Sequence, residues 1–213
     1  QQNFSIRNLL THHSGLPSDY LKGLISDDPM HLDTLVMQFQ EEYQSLPSGK
    51  ISSYSNVAYS LLGVVIERVT GMPYTAYMKQ NLLSALQMDR TVFYNEIDSV
   101  KDLLSKGHQD KTERWPYTMR EIPAGGILTN VEELAHFVQL YLNDGFYNGK
   151  QLLSRESIGE MWSVQNEAIP LDFDFDIGLN WRLGNRSRSD FLRSVPIRWH
   201  SGSTVRFCNI LLF

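Results

Sequence analysis

Residues 51–71, ISSYSNVAYSLLGVVIERVTG, constrain the fold more than any other stretch. Small polar residues and one tyrosine give way to Val57, Leu61, Leu62, Val65, Ile66 and Val69 at helical spacing. That periodicity predicts an amphipathic helix with a broad buried face. Thr70-Gly71 ends it, with Pro73 beyond as a stop signal. Tyr54, Ser55 and Asn56 therefore sit where a loop meets a core helix. A phenol and an amide at the mouth of a rigid element are well placed for chemistry. The plainer reading is that Ser53 or Ser55 caps the helix and Tyr54 packs on it.

A chain of 213 residues can bury a sizeable core. The net charge of -5 and the absence of basic clusters argue against nucleic acid as a partner. No apolar run approaches membrane-spanning length. One cysteine, Cys208, excludes an internal disulfide framework and a cysteine-ligated zinc site. The six histidines show no metal-ligand spacing, so neither a metal nor another cofactor is expected.

Ser5 is a plausible cap for a short helix that ends at Thr11-His12-His13-Ser14-Gly15. Two histidines beside Ser-Gly invite a catalytic reading. The plainer one has a histidine packing or hydrogen-bonding within the turn. Helices are expected near residues 32–39 and 74–86. The pattern weakens between 91 and 118, where a surface excursion is expected, with His108 in a loop. Pro123-Ala124-Gly125-Gly126 permits close backbone approach. Thr129 or Asn130 then caps a helix with Glu132 and Glu133 in its first turn. No Lys-Ser/Thr follows the glycines, so this is not a phosphate-binding loop.

Further on the period changes to two. Phe173, Phe175, Ile177 and Leu179 alternate with polar residues and predict a strand. Residues 184–194 read as a hairpin connection, and 195–200 and 205–213 as strands. The expected fold class is α+β, with helices segregated against an antiparallel sheet. A further polar station, His200-Ser201-Gly202-Ser203, lies on or beside one of these strands, where glycine lets a ligand approach the backbone.

Four segments, IRNLLTHHSGLP, YSNVAYSLLGVVIERVTG, PAGGILTNVEELAHFVQLYLNDG and WHSGS, occur in an order and spacing that resemble the serine β-lactamase, D,D-peptidase and esterase superfamily, in its class C-like branch. The resemblance implies an antiparallel sheet with packed helices, a mainly helical region over roughly 18–122, and further helices and strands over roughly 123–213. The active site would lie between them. It also implies a serine hydrolase working through a covalent acyl-enzyme on small esters, amides or β-lactams. Tyr54 resembles the proton-exchanging tyrosine, and Asn56 the amide that binds substrate. His200, Ser201 and Gly202 resemble the Lys-Thr-Gly strand, with histidine in the lysine position. Ser203 would offer its N–H to an oxyanion hole. A tyrosine, with an ordinary pKa of ~10, needs help to act as a base, and cationic neighbours would supply it. An extracytoplasmic bacterial location accompanies the resemblance.

One part of the pattern is missing. The family nucleophile is the serine of Ser-x-x-Lys. None of the seven lysines has a serine three residues before it. Ser14 and Ser201 are the nearest substitutes, and neither has a lysine at helical spacing. The expectation is a chain incomplete at both ends, inactive alone, whose nucleophile arrives on a companion segment. The alternative is a non-catalytic member that binds a partner or peptide-like ligand.

Overall fold

The computed structural model describes residues 3–25, 31–39, 44–109, 111–114, 119–173, 175–186, 195–204 and 207–213. The helix expected after Tyr54 is α3, Asn56–Thr70. Ser55 caps it by accepting the Ala58 N–H, and Gly71 closes it in the left-handed conformation at φ 68°. Its inner face meets α1 (Ile6–Leu10), whose start is a reciprocal cap between Ser5 and Asn8. Leu9, Leu16, Val57 and Ala58 form the core between them. Complete burial of a side chain such as Val57 contributes about 1.5–3 kcal/mol. Gly63 lets α3 close on α5 (Ile122–Gly125), because a Cβ there would lie 2.2 Å from Pro123 Cγ. The short α2 (Thr34–Phe39) buries Leu35.

A second core gathers Leu83, Leu86, Met88, Phe93, Leu140 and Tyr147. It joins α4 (Tyr74–Met78), the π-helical turn Lys79–Leu83, β1 (Val92–Phe93) and α6 (Val131–Leu142). Asn130 caps α6 by accepting the Glu133 N–H. β1 pairs antiparallel with β4 (Ile127–Leu128). The region 91–118 departs from a bare surface excursion. Phe93, Tyr94 and Ile97 are buried, and β2 (Gly107–Gln109) pairs with β3 (Thr112–Arg114). His108 thus lies on a hairpin strand opposite Glu113, not in a loop. The hairpin of β5 (Phe146–Tyr147) and β6 (Lys150–Gln151) turns on Asn148-Gly149, both at positive φ.

The main sheet is antiparallel in the order β10-β9-β8-β7. Its strands are β7 (Asp176–Ile177), β8 (Arg182–Arg186), β9 (Val195–Ser203) and β10 (Cys208–Leu212). Helix α7 (Arg155–Trp162) and α6 meet this sheet through Ile158, Tyr141 and Trp181, with Leu183, Leu211 and Phe213 packed alongside. The strand expected across 173–179 shrinks to Asp176–Ile177. Phe173 sits at φ 54° and is 85% exposed, so the alternation does not describe one buried face. The cause is Asp172, whose buried carboxylate pins the chain inward just before it. Residues 184–186 extend β8 instead of opening a loop, while 187–194 of the expected connection lie outside the described residues.

Candidate active site

The site begins where α1 ends. His12 follows in a turn at φ 60°, a conformation non-glycine residues rarely adopt. Its carbonyl accepts the Ser53 N–H at 2.8 Å, and its Nδ1 accepts the Ser55 N–H at 3.1 Å. The Tyr54 ring lies against the His12 ring, with centroids 4.4 Å apart. One residue on, His13 is buried and reaches Asp172 through Nε2 at 2.7 Å and Thr11 Oγ1 through Nδ1 at 2.9 Å. Asp172 also accepts the Ser52 N–H at 2.6 Å and an Asn166 amide N–H at 2.8 Å. Burial would raise this carboxyl's pKa, but those hydrogen bonds outweigh it and hold the pKa below the usual range. Residues 52–55 are therefore gripped from two sides before α3 starts.

The sheet supplies the opposite wall. Asn180, at φ 66° between β7 and β8, donates its N–H to the Leu10 carbonyl at 3.1 Å. This ties the sheet to the end of α1. On β9, His200 faces Tyr54 with ring centroids 6.2 Å apart. His12, Tyr54, Ile177, Asn180, Trp181, Arg182 and His200 line one small hollow. The Arg182 guanidinium rests over the Phe175 ring at 4.9 Å and the Trp199 ring at 5.9 Å. Among the described residues no carboxylate pairs with it, so it brings a permanent positive charge to the hollow.

The proton affinities follow from burial and this charge. His12 is pushed down to about 4, by burial first and then by His200 and Arg182. The Asn180 amide opposes this but does not reach hydrogen-bonding geometry with Nε2, which is buried without a partner. His200 is lowered by burial and Arg182, against a backbone hydrogen bond at Ser201. Tyr54 is raised, by burial and then by Asp19, with Arg182 opposing. At neutral pH the hollow thus holds a phenol, two neutral imidazoles and one guanidinium. The help expected for Tyr54 as a base is outweighed within these residues.

Tyr54 and His200 come together as the sequence suggested. Asn56 instead donates to Asp19 Oδ1 at 2.8 Å and is not part of the hollow's wall. Ser201, Gly202 and Ser203 continue along β9 opposite Ile210, Asn209 and Cys208. Gly202 makes room for the Asn209 amide, which a Cβ would approach to 2.7 Å. Ser14 is fully buried and unavailable to a substrate. Sequence reasoning weighed His12 within Thr-His-His-Ser-Gly without assigning it a role, and nothing local marks Asn180, Arg182 or Asp172. Among the described residues no three His, Cys, Asp or Glu side chains gather as a metal site requires. No helix there is long and apolar enough to cross a membrane.

Comparison with known proteins decides the family. The β-lactamase family model matches residues 1–211. The chain belongs to the β-lactamase family. This places it in the serine β-lactamase and transpeptidase superfamily, a superfamily of serine hydrolases. Protein flp of Staphylococcus aureus strain MW2 is 27% identical over 147 residues, covering 67% of this chain and 30% of that protein. A protein named "Putative D-alanyl-D-alanine carboxypeptidase" from Escherichia coli O157:H7 is 26% identical, covering 85% of this chain and 47% of its own length. The octameric penicillin-binding protein homologue from Pyrococcus abyssi shares the fold, with a TM-score of 0.72 and 24% identity over 98% of this chain and 48% of that one. The family chain described here spans about half the length of two of these relatives and less than a third of the other. Helices pack on an antiparallel sheet, as in the β-lactamase and penicillin-binding-protein fold.

Proposed function

We propose that this β-lactamase-family chain forms most of an acyl-transfer site for small esters, amides or β-lactams, and that the attacking serine comes from outside these 213 residues. The carrying observation is that Tyr54, from the loop before α3, and His200, from β9, meet at one open hollow. In this reading Tyr54 shuttles a proton between the nucleophile and the leaving group. A cationic residue beside the serine would offset burial and Asp19 and bring the Tyr54 proton affinity down. Asn56 braces the substrate side of the site once drawn from Asp19. His200 hydrogen-bonds as a neutral imidazole, and the β9 segment Ser201-Gly202-Ser203 forms the substrate edge, with the Ser203 N–H aimed at an oxyanion. The helical part, roughly 18–122, and the remainder, 123–213, supply opposite walls.

Neutral His200 favours esters and small amides over penicillins, because it gives a substrate carboxylate no permanent partner. A higher kcat/KM for a penicillin than for a short aryl ester would refute that preference and point to Arg182 as the carboxylate's partner. The alternative, a non-catalytic binding member, draws support from the absence of Ser-x-x-Lys and from the raised proton affinity of Tyr54. Tyr54→Phe discriminates between the two when made in protein that carries the nucleophile. It keeps the ring and removes the hydroxyl, so kcat should fall by ~10²–10⁴ while the melting temperature stays near the parent's. Parental turnover in the variant would remove Tyr54 from the mechanism.

A further inference from the structure

We propose that His12 is the positioning residue for Tyr54, fixing residues 53, 54 and 55 through its carbonyl, its ring face and its Nδ1. This rests on the reading of Tyr54 as the proton shuttle. Three contacts from one residue converge on three consecutive positions. The carbonyl takes the Ser53 N–H at 2.8 Å, Nδ1 takes the Ser55 N–H at 3.1 Å, and the ring lies 4.4 Å from the Tyr54 ring. Ser55 is also the cap of α3, so the same imidazole links the phenol to the helix start. Tyr54 is 42% exposed, so burial alone does not fix its orientation.

The contact at Nδ1 requires a lone pair there, so the ring must be neutral with its hydrogen on Nε2. The surroundings enforce this. Burial and the positive field of Arg182, with His200 and His13 adding to it when charged, disfavour a second proton. Asn180 is the neighbour that opposes them, and Tyr54 and Tyr59 flank the ring. The backbone explains why His12 is held in place. It takes φ 60° as the left-handed residue that stops α1, with the His12 and His13 N–H groups bound by the Leu9 and Asn8 carbonyls.

The test compares His12→Leu, which removes the acceptor, with His12→Asn, whose amide oxygen can still take the Ser55 N–H. Both are made in the protein that carries the nucleophile. Misplacing a reacting group by about 1 Å costs about 10²-fold. His12→Leu should therefore lower kcat roughly 10²-fold with KM changed no more than about threefold, and His12→Asn should recover at least about fivefold of that loss. Parental kcat in folded His12→Leu, no recovery in folded His12→Asn, or a loss in KM alone, would overturn the proposal. Imidazole ¹⁵N NMR of the unmodified protein keeps the test open if His12→Leu does not fold. A neutral ring with Nε2 protonated between pH 6 and 8 is expected. A charged ring, or one protonated at Nδ1, would overturn it. Should the parent show no acyl transfer at all, the functional reading fails, while the NMR measurement still tests the contact with Ser55.

Discussion

Asp172→Ala removes the residue that joins the front of the site to the sheet side. The Asp172 carboxylate is 2% exposed and accepts hydrogen bonds from the Ser52 N–H, the Asn166 amide and His13. Bonds to a charged group contribute about 1.5–3 kcal/mol each, but they share one carboxylate and do not add. Breaking a buried hydrogen-bonded pair from one side costs about 3–5 kcal/mol, and that is the expected destabilisation. For a chain of this size it lowers the melting temperature by roughly 10 °C. Asp172→Asn should cost less, about 1–3 kcal/mol, because the amide oxygen still accepts while its NH₂ opposes one donor. Urea titration at pH 7 reads both, with an unchanged slope showing that the unfolded state is the same. The sign of the pH dependence is fixed. Hydrogen bonding holds the folded carboxyl below its unfolded value of ~3.9, so its contribution is complete above that pH and is lost as pH falls through the lower folded value. The gap between parent and Asp172→Asn should therefore narrow below about pH 4. An Asp172→Ala protein within 1 kcal/mol of the parent at pH 7 would refute the anchoring role.

Two further expectations follow from other positions. Gly63→Ala should destabilise by about 1–3 kcal/mol in denaturant titration, because its Cβ would sit 2.2 Å from Pro123 Cγ and force α3 from α5. Since His12 is lowered from 6.5 to about 4, its contribution is complete above about pH 6.5 and drains as pH falls toward 4. By linkage this amounts to roughly 2–4 kcal/mol, and His12→Asn should flatten that limb of the stability profile. An unchanged profile in the variant would mean that His12 does not carry it.

Local chemistry was legible in the sequence where it is self-contained. The Ser5 cap, the Ser55 and Asn130 caps, each one of two candidates in the sequence, and the Gly71 stop depend on neighbours within a few residues. Tyr54 and His200 stand in polar stations beside rigid elements, and the family resemblance singles them out. The link from His13 to Asp172 crosses 159 positions and leaves no local trace. The same link explains the misread strand. Alternation from Phe173 to Leu179 satisfies a period of two, but with Asp172 buried Phe173 turns outward at φ 54° and the strand is confined to Asp176–Ile177. Nothing local marks Arg182, which rests on Phe175 and Trp199 beside the hollow. The direction of the Tyr54 shift depends on burial and on Asp19, neither of which a sequence pattern displays.

The central claim is that this family chain builds the site around Tyr54 while the nucleophile lies elsewhere. Intact mass spectrometry tests it after treatment with a fluorophosphonate or a labelled penicillin, first on the 213-residue chain and then with a segment carrying Ser-x-x-Lys supplied. The expected result is no adduct on the chain alone and one equivalent on the added serine. A stoichiometric adduct on the chain alone, mapped to Ser14, Ser201 or any other serine within it, would contradict the claim and move the nucleophile into these residues.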